Sequence, residues 1–146
     1  MYSKQHLENI KHYLINMTKI IAVSGYFNPI HKGHIRMFRE ASSLGVLVVI
    51  LNTDEQVKLK GSIPFMSYEE RKEILESIRY VTRVIPAIDK DQTVCMTLKR
   101  LKPDIFCNGG DQKKVPEEKI CNELGIKLMF NVGGEKVQSS SKLLKL

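Results

Sequence analysis

The 146-residue chain has no long apolar run. Its longest stretch of consecutive apolar residues, Val46 to Leu51, is far too short to cross a membrane. The opening residues 1–8 also lack the apolar core of a signal peptide. These absences argue against a membrane-embedded protein, and we expect a cytosolic protein with no membrane partner.

Cysteine is scarce, and its positions predict neither a zinc site nor a disulfide framework. Cys95, Cys107 and Cys121 are odd in number and widely spaced, so we expect them to be buried as small apolar side chains. His31 and His34 have a spacing that a metal ion can use, but no third histidine or cysteine lies close by. We therefore predict no metal site built from protein ligands.

The chain also lacks the clustered positive charge that is typical of nucleic-acid-binding proteins. Lys and Arg number 23 against 16 Asp and Glu, a formal net charge of +7, but the basic residues are dispersed among acidic ones. No aromatic-rich basic sheet pattern accompanies them. A small anionic substrate accounts for the excess equally well, so nucleic-acid binding is only a minor alternative.

What the sequence does contain is one distinctive stretch, residues 24–34, between a predicted strand and a predicted helix. The apolar run 20–23 predicts a buried strand, and apolar residues at helical spacing begin at Ile35. Gly25 and an Asn-Pro step permit a sharp bend between the two elements. The stretch is therefore predicted to be a strand-to-helix turn.

Three residues of this turn predict a phosphate site. His31 and His34 are three apart at the helix entrance, so their side chains fall on one side of the helix. Gly33 lies between them and lets a ligand approach the backbone closely. The N-terminus of a helix adds unpaired N–H groups and partial positive charge. Together these features predict a cradle for a polyphosphate, with a plain pair of surface histidines as the alternative.

Buried strands and helices alternate along the rest of the chain. Residues 1–17 carry apolar residues at near-helical spacing and predict a leading helical extension, which precedes a single domain over residues 18–146. Further strands are predicted at residues 46–51, 81–85, 105–107 and 126–132. Five helices are predicted along with these strands. The first ends near Leu44, the second starts at the Ser67 capping box, and the third starts at Asp91. The fourth runs from Pro116 to Leu124, and the fifth follows the serines at 139–141.

This order predicts an α/β fold, a single Rossmann-like, doubly wound, five-stranded parallel sheet with strand order 3-2-1-4-5. Such a sheet binds its ligand outside the carboxyl ends of the strands, where the chain order reverses. The loops at that point follow strands one and four. They are the turn that carries His31 and His34, and residues 108–111. Two glycines in the second loop predict exposed backbone N–H groups, with a plain tight turn as the alternative.

Three cations are candidates for the same site. Lys58 and Lys60 follow the end of the second strand, where a site role is credible beside the default of solvated charge. Arg71 lies in the first turn of a helix, where a cation opposes the helix dipole. Such a position indicates a function for Arg71, with surface pairing to a glutamate as the alternative.

These motifs resemble those of the cytidylyltransferase-like nucleotidyltransferase superfamily. His31-Lys32-Gly33-His34 matches its His-x-Gly-His signature, and residues 68–81 resemble a helix of glycerol-3-phosphate cytidylyltransferases. Residues 59–61, 103–105 and 109–111 are more similar to the nucleotidyltransferase domain of ADP-heptose synthases. The Phe-Asn-Pro step resembles that of nicotinamide-nucleotide adenylyltransferases, and residues 137–141 lie where the family has a Ser/Thr-rich signature.

The resemblance implies a role for each matching residue. The implied catalytic residues, which hold phosphates and stabilise the departing pyrophosphate, are His31, His34, Lys60 and Arg71, the last on the phosphate of the acceptor. The implied nucleotide-binding residues are Tyr26, Phe27, Asn28, Gly33, Lys58, Gly109, Gly110, Asp111, Ser139 and Ser140.

The resemblance further implies transfer of CMP from CTP to a phosphorylated small molecule, such as glycerol 3-phosphate or a sugar phosphate, with release of pyrophosphate. Mg²⁺ is expected as the cofactor, held mostly by the triphosphate and water. Two alternatives stay open: an adenylyltransferase that uses ATP on a heptose phosphate or a mononucleotide, and a nucleotide-binding module without turnover. We expect the leading helix to pack either on the domain or on a partner chain. In the second case the protein would be a homodimer.

Overall fold

The computed structural model describes residues 1–110 and 112–145, apart from the side chains of residues 15–17. Over that part of the chain, every predicted strand and helix is present, and one further helix follows the second strand. The elements in chain order are α1 (Lys4–Met17), β1 (Ile20–Gly25), α2 (Lys32–Ser42), β2 (Val46–Leu51), α3 (Asp54–Leu59), α4 (Tyr68–Glu76), β3 (Arg83–Pro86), α5 (Cys95–Leu101), β4 (Ile105–Gly109), α6 (Glu118–Leu124), β5 (Lys127–Val132) and α7 (Ser140–Leu144).

The five strands form one sheet in the order β3-β2-β1-β4-β5. Every pair of neighbours is parallel, which confirms the predicted Rossmann-like sheet. Ile21 of the central strand β1 lies opposite Leu47 of β2 on one side and Ile105 of β4 on the other. The chain order reverses between β1 and β4, so the ends of these two strands flank a crevice.

Helices cover both faces of the sheet because the strands bury side chains on both sides. Successive strand residues point to opposite faces. Val23 therefore packs in one apolar cluster with Phe38 of α2, while its neighbour Ala22 packs in another with Leu98 of α5. Each large apolar side chain buried in this way contributes roughly 1.5–3 kcal/mol. The two clusters fix the positions of the strand ends, and the site is built on those ends.

The predicted cap of α5 is wrong. The Asp91 carboxylate accepts hydrogen bonds from the N–H and the hydroxyl of Thr93, and these bonds close a local turn. The N–H groups of Met96 and Thr97 at the start of α5 instead donate to the carboxylate of Asp89. Asp89 and Asp91 both precede α5 closely, so the sequence pattern alone does not show which carboxylate meets the first N–H groups of the helix.

Several element boundaries differ from the predicted ones by one or two residues, and the starts of β3 and α6 are examples. Strand β3 begins at Arg83 and not at residue 81, because the N–H of Val81 donates to the carbonyl of Ile78 in a turn after α4. Helix α6 begins at Glu118, two residues beyond the predicted start at Pro116. Neither shift changes the topology.

Helix α3 is an element that the sequence did not predict. Thr53 caps it, because the Thr53 hydroxyl accepts from the N–H of Gln56 while the Gln56 side chain accepts from the N–H of Thr53. Val57 is fully buried and anchors the helix to the body of the protein. The helix has 6 residues, too few for a helical period to be visible in the sequence.

Helix α1 is present at the predicted leading extension. Its apolar residues Leu7, Ile10 and Leu14 are between 47% and 55% exposed. The division of the chain into a leading extension and a separate domain stays a prediction. Among the helices described, none has the length and apolar character needed to span a bilayer.

The expected burial of cysteine holds for Cys107 and Cys121, whereas Cys95 is partly exposed. Burial raises the pKa of the Cys107 thiol to about 12 and that of Cys121 to about 11. These two thiols are therefore protonated at neutral pH and act as small apolar groups.

Candidate active site

The histidine turn, residues 26–34, connects the end of β1 to the start of α2. His31 is the N-cap of α2, and its Nδ1 accepts a hydrogen bond of 3.1 Å from the N–H of Gly33. The Nδ1 of His34 accepts one of 3.1 Å from the N–H of His31. Because both Nδ1 atoms act as acceptors, each neutral ring carries its proton on Nε2. The backbone therefore sets the tautomer of both rings.

The two imidazoles are stacked and uncharged. Their centroids are 3.7 Å apart with an angle of 22° between the ring planes, and the Phe27 ring meets His34 edge-on at 4.7 Å. Burial, and then the neighbouring His31, lower the pKa of His34 to about 3. Burial and the charge of Lys136 lower the pKa of His31. The pair thus presents neutral N–H donors at pH 7.

A cavity of about 330 Å³, the main cavity, opens beside these rings at the ends of β1, β4 and β5. This volume lies in the range of ordinary small-molecule sites. The structure brings most of the predicted site residues to its wall, namely Tyr26, Phe27, His31, Gly33, His34, Lys60, Gly109, Gly110, Ser139 and Ser140. The predicted meeting of the histidine turn with the glycine turn after β4 is therefore present.

Lysines supply positive charge on the cavity wall. The ammonium of Lys60 lies 4.4 Å from the centroid of the Tyr26 ring, a cation–π contact that holds it at the cavity edge. Lys136, in the loop after β5, also lies on the cavity wall. Because the histidines on the same wall are uncharged, these lysines create an environment that favours an anion.

A second concavity, the side depression, adjoins the main cavity. It holds about 20 Å³ and shares Tyr26, Lys60, Ser140 and Ser141 with the main cavity. Its remaining wall comes from residues of α3, α7 and the loops beside them, namely Asn28, Val57, Ser62 and Leu144. Lys60 therefore stands at the junction of two spaces.

Lys58 and Asp111 are not part of the described cavity wall. Lys58 is exposed on the outer side of α3, because the unpredicted helix turns it away from Lys60. Asp111 lies outside the described residues.

Arg71 is not brought to the cavity either. It is 1% exposed, and its guanidinium donates to the carbonyls of Tyr26, Asn52 and Met66. A further N–H donates to the Asp54 carboxylate at 2.7 Å, which forms an ion pair. These contacts tie the histidine turn to the end of β2 and the start of α4. The cation that opposes the dipole of α4 is thus held by partners from other segments.

Asn28 is 3% exposed and acts on the backbone next to the site. Its amide N–H donates to the carbonyl of Ile63, and its oxygen accepts from the N–H groups of Phe65 and Met66. The side chain thereby fastens residues 63–66 to the histidine turn. Its contacts are structural, and they lie beside the main cavity.

The sequence reasoning did not single out the loop after β5 residue by residue. Residues 132–138 line the main cavity together with Gln112. A Cβ on Gly133, whose φ is +90°, would lie 2.6 Å from the backbone N of Met37, so the loop packs directly on α2. Glu40 of α2 accepts a hydrogen bond from the N–H of Gly133. The adjacent glycines 133 and 134 were the available signal for this close approach.

Serines start α7 as predicted. The Ser139 hydroxyl accepts from the N–H of Lys142. The Ser140 hydroxyl donates to the carbonyl of Pro29 at 2.6 Å, which links α7 to the histidine turn. Both serines lie on the cavity wall, and Ser140 is held in place by this bond.

The described residues offer little that could cage a metal ion. Within the described ranges, no group of three or more His, Cys, Asp or Glu side chains converges. Glu135 brings a carboxylate to the cavity wall. Since Mg²⁺ commonly keeps its waters and takes one or two carboxylates plus substrate phosphates, this donor set fits an ion that arrives with a triphosphate.

The fold and the site together define a Rossmann-like protein with a polyphosphate-sized cavity at the switch point of its sheet. Residues 22–137 match the cytidylyltransferase-like family. The chain therefore belongs to this family, which confirms the superfamily that its sequence resembles.

Individual relatives support the assignment. The FAD synthase of Pyrococcus horikoshii is 43% identical over 95 residues, which cover 63% of this chain and 63% of that protein. The bifunctional protein HldE of Helicobacter pylori is 33% identical over 143 residues, 96% of this chain and 29% of that protein. The chain thus spans less than two thirds of each.

A solved structure matches as well. The crystal structure of a lipopolysaccharide core biosynthesis protein from Thermoplasma volcanium superposes with a TM-score of 0.67 at 32% identity. The match covers 77% of this chain and 95% of that protein. The similarity therefore extends over most of this chain.

Proposed function

We propose that the protein is an enzyme that transfers a nucleotidyl group from a nucleoside triphosphate to a phosphorylated small molecule and releases pyrophosphate. The observation that carries the proposal is the stacked pair His31 and His34, whose backbone-bound Nδ1 atoms leave Nε2–H donors at the cavity. Family membership over residues 22–137 supports the same reaction class.

The proposed reaction is attack by an oxygen of the acceptor phosphate on the α-phosphorus. The bond from this phosphorus to the bridging oxygen breaks, and pyrophosphate leaves with the electron pair. The acceptor is already an anion, so no general base is needed. Catalysis then rests on alignment of the reactants and on charge stabilisation by His31, His34 and Lys60.

The neutral state of the histidines suits this chemistry. A preorganised N–H donor stabilises the negative charge that develops on the phosphoryl oxygens. The neutral ring is already a donor through Nε2, so the reaction needs no change in its protonation state. Lys60 and Lys136 supply the full positive charges. In this account the rings orient the triphosphate and the lysines neutralise it.

Mg²⁺ is the proposed cofactor, carried mainly by the triphosphate and water. Glu135 is the described cavity residue with a carboxylate for it. When bound, the ion neutralises phosphate charge and orients the leaving group.

CTP and ATP are the two candidates for the nucleotide donor. The resemblance of residues 68–81 favours CTP. The relatives favour ATP, because a protein named FAD synthase makes a product that contains an adenine nucleotide. We therefore propose adenylyl transfer beside the cytidylyl transfer that the sequence predicts.

The test is a pyrophosphate-release screen with purified protein and Mg²⁺. CTP and ATP are each crossed with glycerol 3-phosphate, a heptose phosphate, a mononucleotide and no acceptor. The proposal expects acceptor-dependent release with one of the two nucleotides. Tight nucleotide binding without release across the whole panel would instead establish a binding module without turnover.

A further inference from the structure

We propose that Asn131 is a positioning residue that couples the two glycine-containing loops on the wall of the main cavity and so fixes their spacing for the nucleotide. These loops are the glycine turn at the end of β4, which carries Gly109 and Gly110, and the loop after β5, residues 132–138. Asn131 itself does not line the main cavity. The inference rests on the proposed nucleotidyl transfer and adds a residue that supports it.

A bulge in β5 places Asn131 between the two loops. Cys107 of β4 lies opposite Met129 of β5. Gly109, two residues further along β4, lies opposite Val132, three residues further along β5, so β5 carries one extra residue in this interval. Asn131 lies there with a left-handed backbone, at a φ of +56°. Such bulges re-aim side chains beside functional sites.

The Asn131 side chain reaches a backbone carbonyl in each loop. One of its two terminal atoms is 2.9 Å from the carbonyl oxygen of Gly134 and 3.3 Å from that of Gly110. Because both of these neighbours can only accept hydrogen bonds, this atom is the amide nitrogen, which has two N–H groups to donate. A single side chain therefore bonds both loops, although the loops follow different strands.

These two bonds act where side-chain packing does not hold the loops. Gly110 and Gly134 both line the main cavity. A Cβ built on either glycine would meet no described atom within 4 Å. Loops that are ordered before a ligand arrives lower the entropic cost of binding. The amide of Asn131 therefore preorganises this side of the cavity.

The local turn at Asn131 can be separated from the link between the loops. The carbonyl of Asn131 accepts a backbone hydrogen bond of 3.2 Å from the N–H of Gly134. Glycine adopts a left-handed backbone without strain, so Asn131→Gly keeps this turn and removes the side-chain link. Asn131→Asp keeps the shape of the side chain, but an ionised carboxylate only accepts hydrogen bonds and repels the two carbonyl oxygens.

The test measures the dissociation constants of ATP and CTP, each with Mg²⁺, by isothermal titration calorimetry for wild type, Asn131→Gly and Asn131→Asp. The pyrophosphate-release assay then gives kcat and KM for the same proteins. Asn122→Ala, which removes an exposed asparagine side chain on α6 away from both concavities, is the matched control. Circular dichroism and urea denaturation establish that each variant is folded.

We expect Asn131→Gly to raise the dissociation constant and the KM of the preferred nucleotide by about three- to tenfold, the scale of one net hydrogen bond. The kcat should stay within about twofold of wild type, because the donors of His31 and His34 are fixed within the histidine turn. Asn131→Asp should bind the nucleotide more weakly still, and the control should match wild type.

Wild-type dissociation constants in both folded Asn131 variants overturn the inference and leave nucleotidyl transfer standing. A loss in kcat alone, with nucleotide affinity unchanged, does the same. Binding that both variants weaken, without pyrophosphate release by any protein, supports the coupling of the loops and contradicts turnover. If wild type binds neither nucleotide and releases no pyrophosphate, the proposed function and the inference both fail.

Discussion

At the scale of single residues, the site depends on donors whose state is set by the backbone. His34 accepts the N–H of His31, and His31 accepts the N–H of Gly33, so neither ring is free to change tautomer. Both rings lose charge through burial and through nearby positive groups. The histidines thus differ from acid–base catalysts, which need a pKa near the working pH.

The pKa of about 3 at His34 makes stability depend on pH in acid. The folded-state value lies below the ordinary 6.5, so the unfolded chain binds the extra proton first as the pH falls. The stabilising effect is complete above pH 6.5 and is lost as the pH falls towards 3. In urea titrations, we expect wild type to lose more stability than His34→Gln across this window. Equal losses in both proteins would refute the shift, and an imidazole NMR signal of His34 that titrates between pH 8 and 5 would do the same.

Arg71 leads to a different prediction, one about stability. The Arg71 side chain of its ion pair with Asp54 is fully buried. Removing one member of such a pair leaves the groups that it bonded without a partner. We expect Arg71→Ala to lower the free energy of unfolding by about 3 kcal/mol or more. Arg79→Ala, at an exposed arginine of the same helix region, should change it by at most about 0.5 kcal/mol.

The same variant distinguishes the two roles of Arg71. If Arg71 held the acceptor phosphate, as the resemblance implies, its loss would raise the acceptor KM while the protein stayed as stable as wild type. Urea denaturation together with steady-state kinetics separates these outcomes.

At the scale of elements, three side chains tie neighbouring segments to the histidine turn. Arg71 connects it to β2 and α4, Asn28 connects it to residues 63–66, and Ser140 connects it to α7. The loop after β5 is held separately, by the contact of Gly133 with α2. The cavity wall is therefore assembled from loops that are each anchored to a packed element, which limits their motion.

The paired glycines of that loop allow a controlled test. Gly133→Ala introduces a Cβ 2.6 Å from the backbone of Met37 at a φ of +90°, whereas Gly134→Ala meets no atom within 4 Å at a φ of +83°. Both variants suffer the backbone cost of a left-handed conformation, about 1–2 kcal/mol. Gly133→Ala should lose about 1–3 kcal/mol more, because the loop must move off α2. Equal unfolding free energies for the two variants would show that the loop does not pack as described.

At the scale of the whole molecule, function follows from the order of the strands. Because β1 and β4 are neighbours where the chain order reverses, their loops form one cavity although the loops lie about eighty residues apart in the sequence. The homodimer that the sequence leaves open and the expected cytosolic location both stay untested expectations, and α1 has exposed apolar side chains.

Much of this architecture was predictable from the sequence, because parallel strands are continuous apolar runs and the histidine motif stands at the end of the first one. The partners of Arg71 were not predictable, since they come from three separate parts of the chain. The choice of Asp89 over Asp91 as the partner of the first N–H groups of α5 was hidden for a different reason, because the two carboxylates lie close together in the sequence and the turn between Asp91 and Thr93 occupies the second one. Local pattern identifies elements, whereas long-range packing decides which polar side chain meets which partner.

The most direct test of the account is the rate of pyrophosphate release by His34→Ala, measured with the nucleotide and acceptor that wild type prefers. We predict a kcat lower by about 10²–10³-fold, the usual loss for one preorganised donor, with an unchanged circular dichroism spectrum. His6→Ala, at an exposed histidine on α1, should keep the wild-type rate. Wild-type turnover by folded His34→Ala would contradict the claim that the stacked histidines hold the triphosphate.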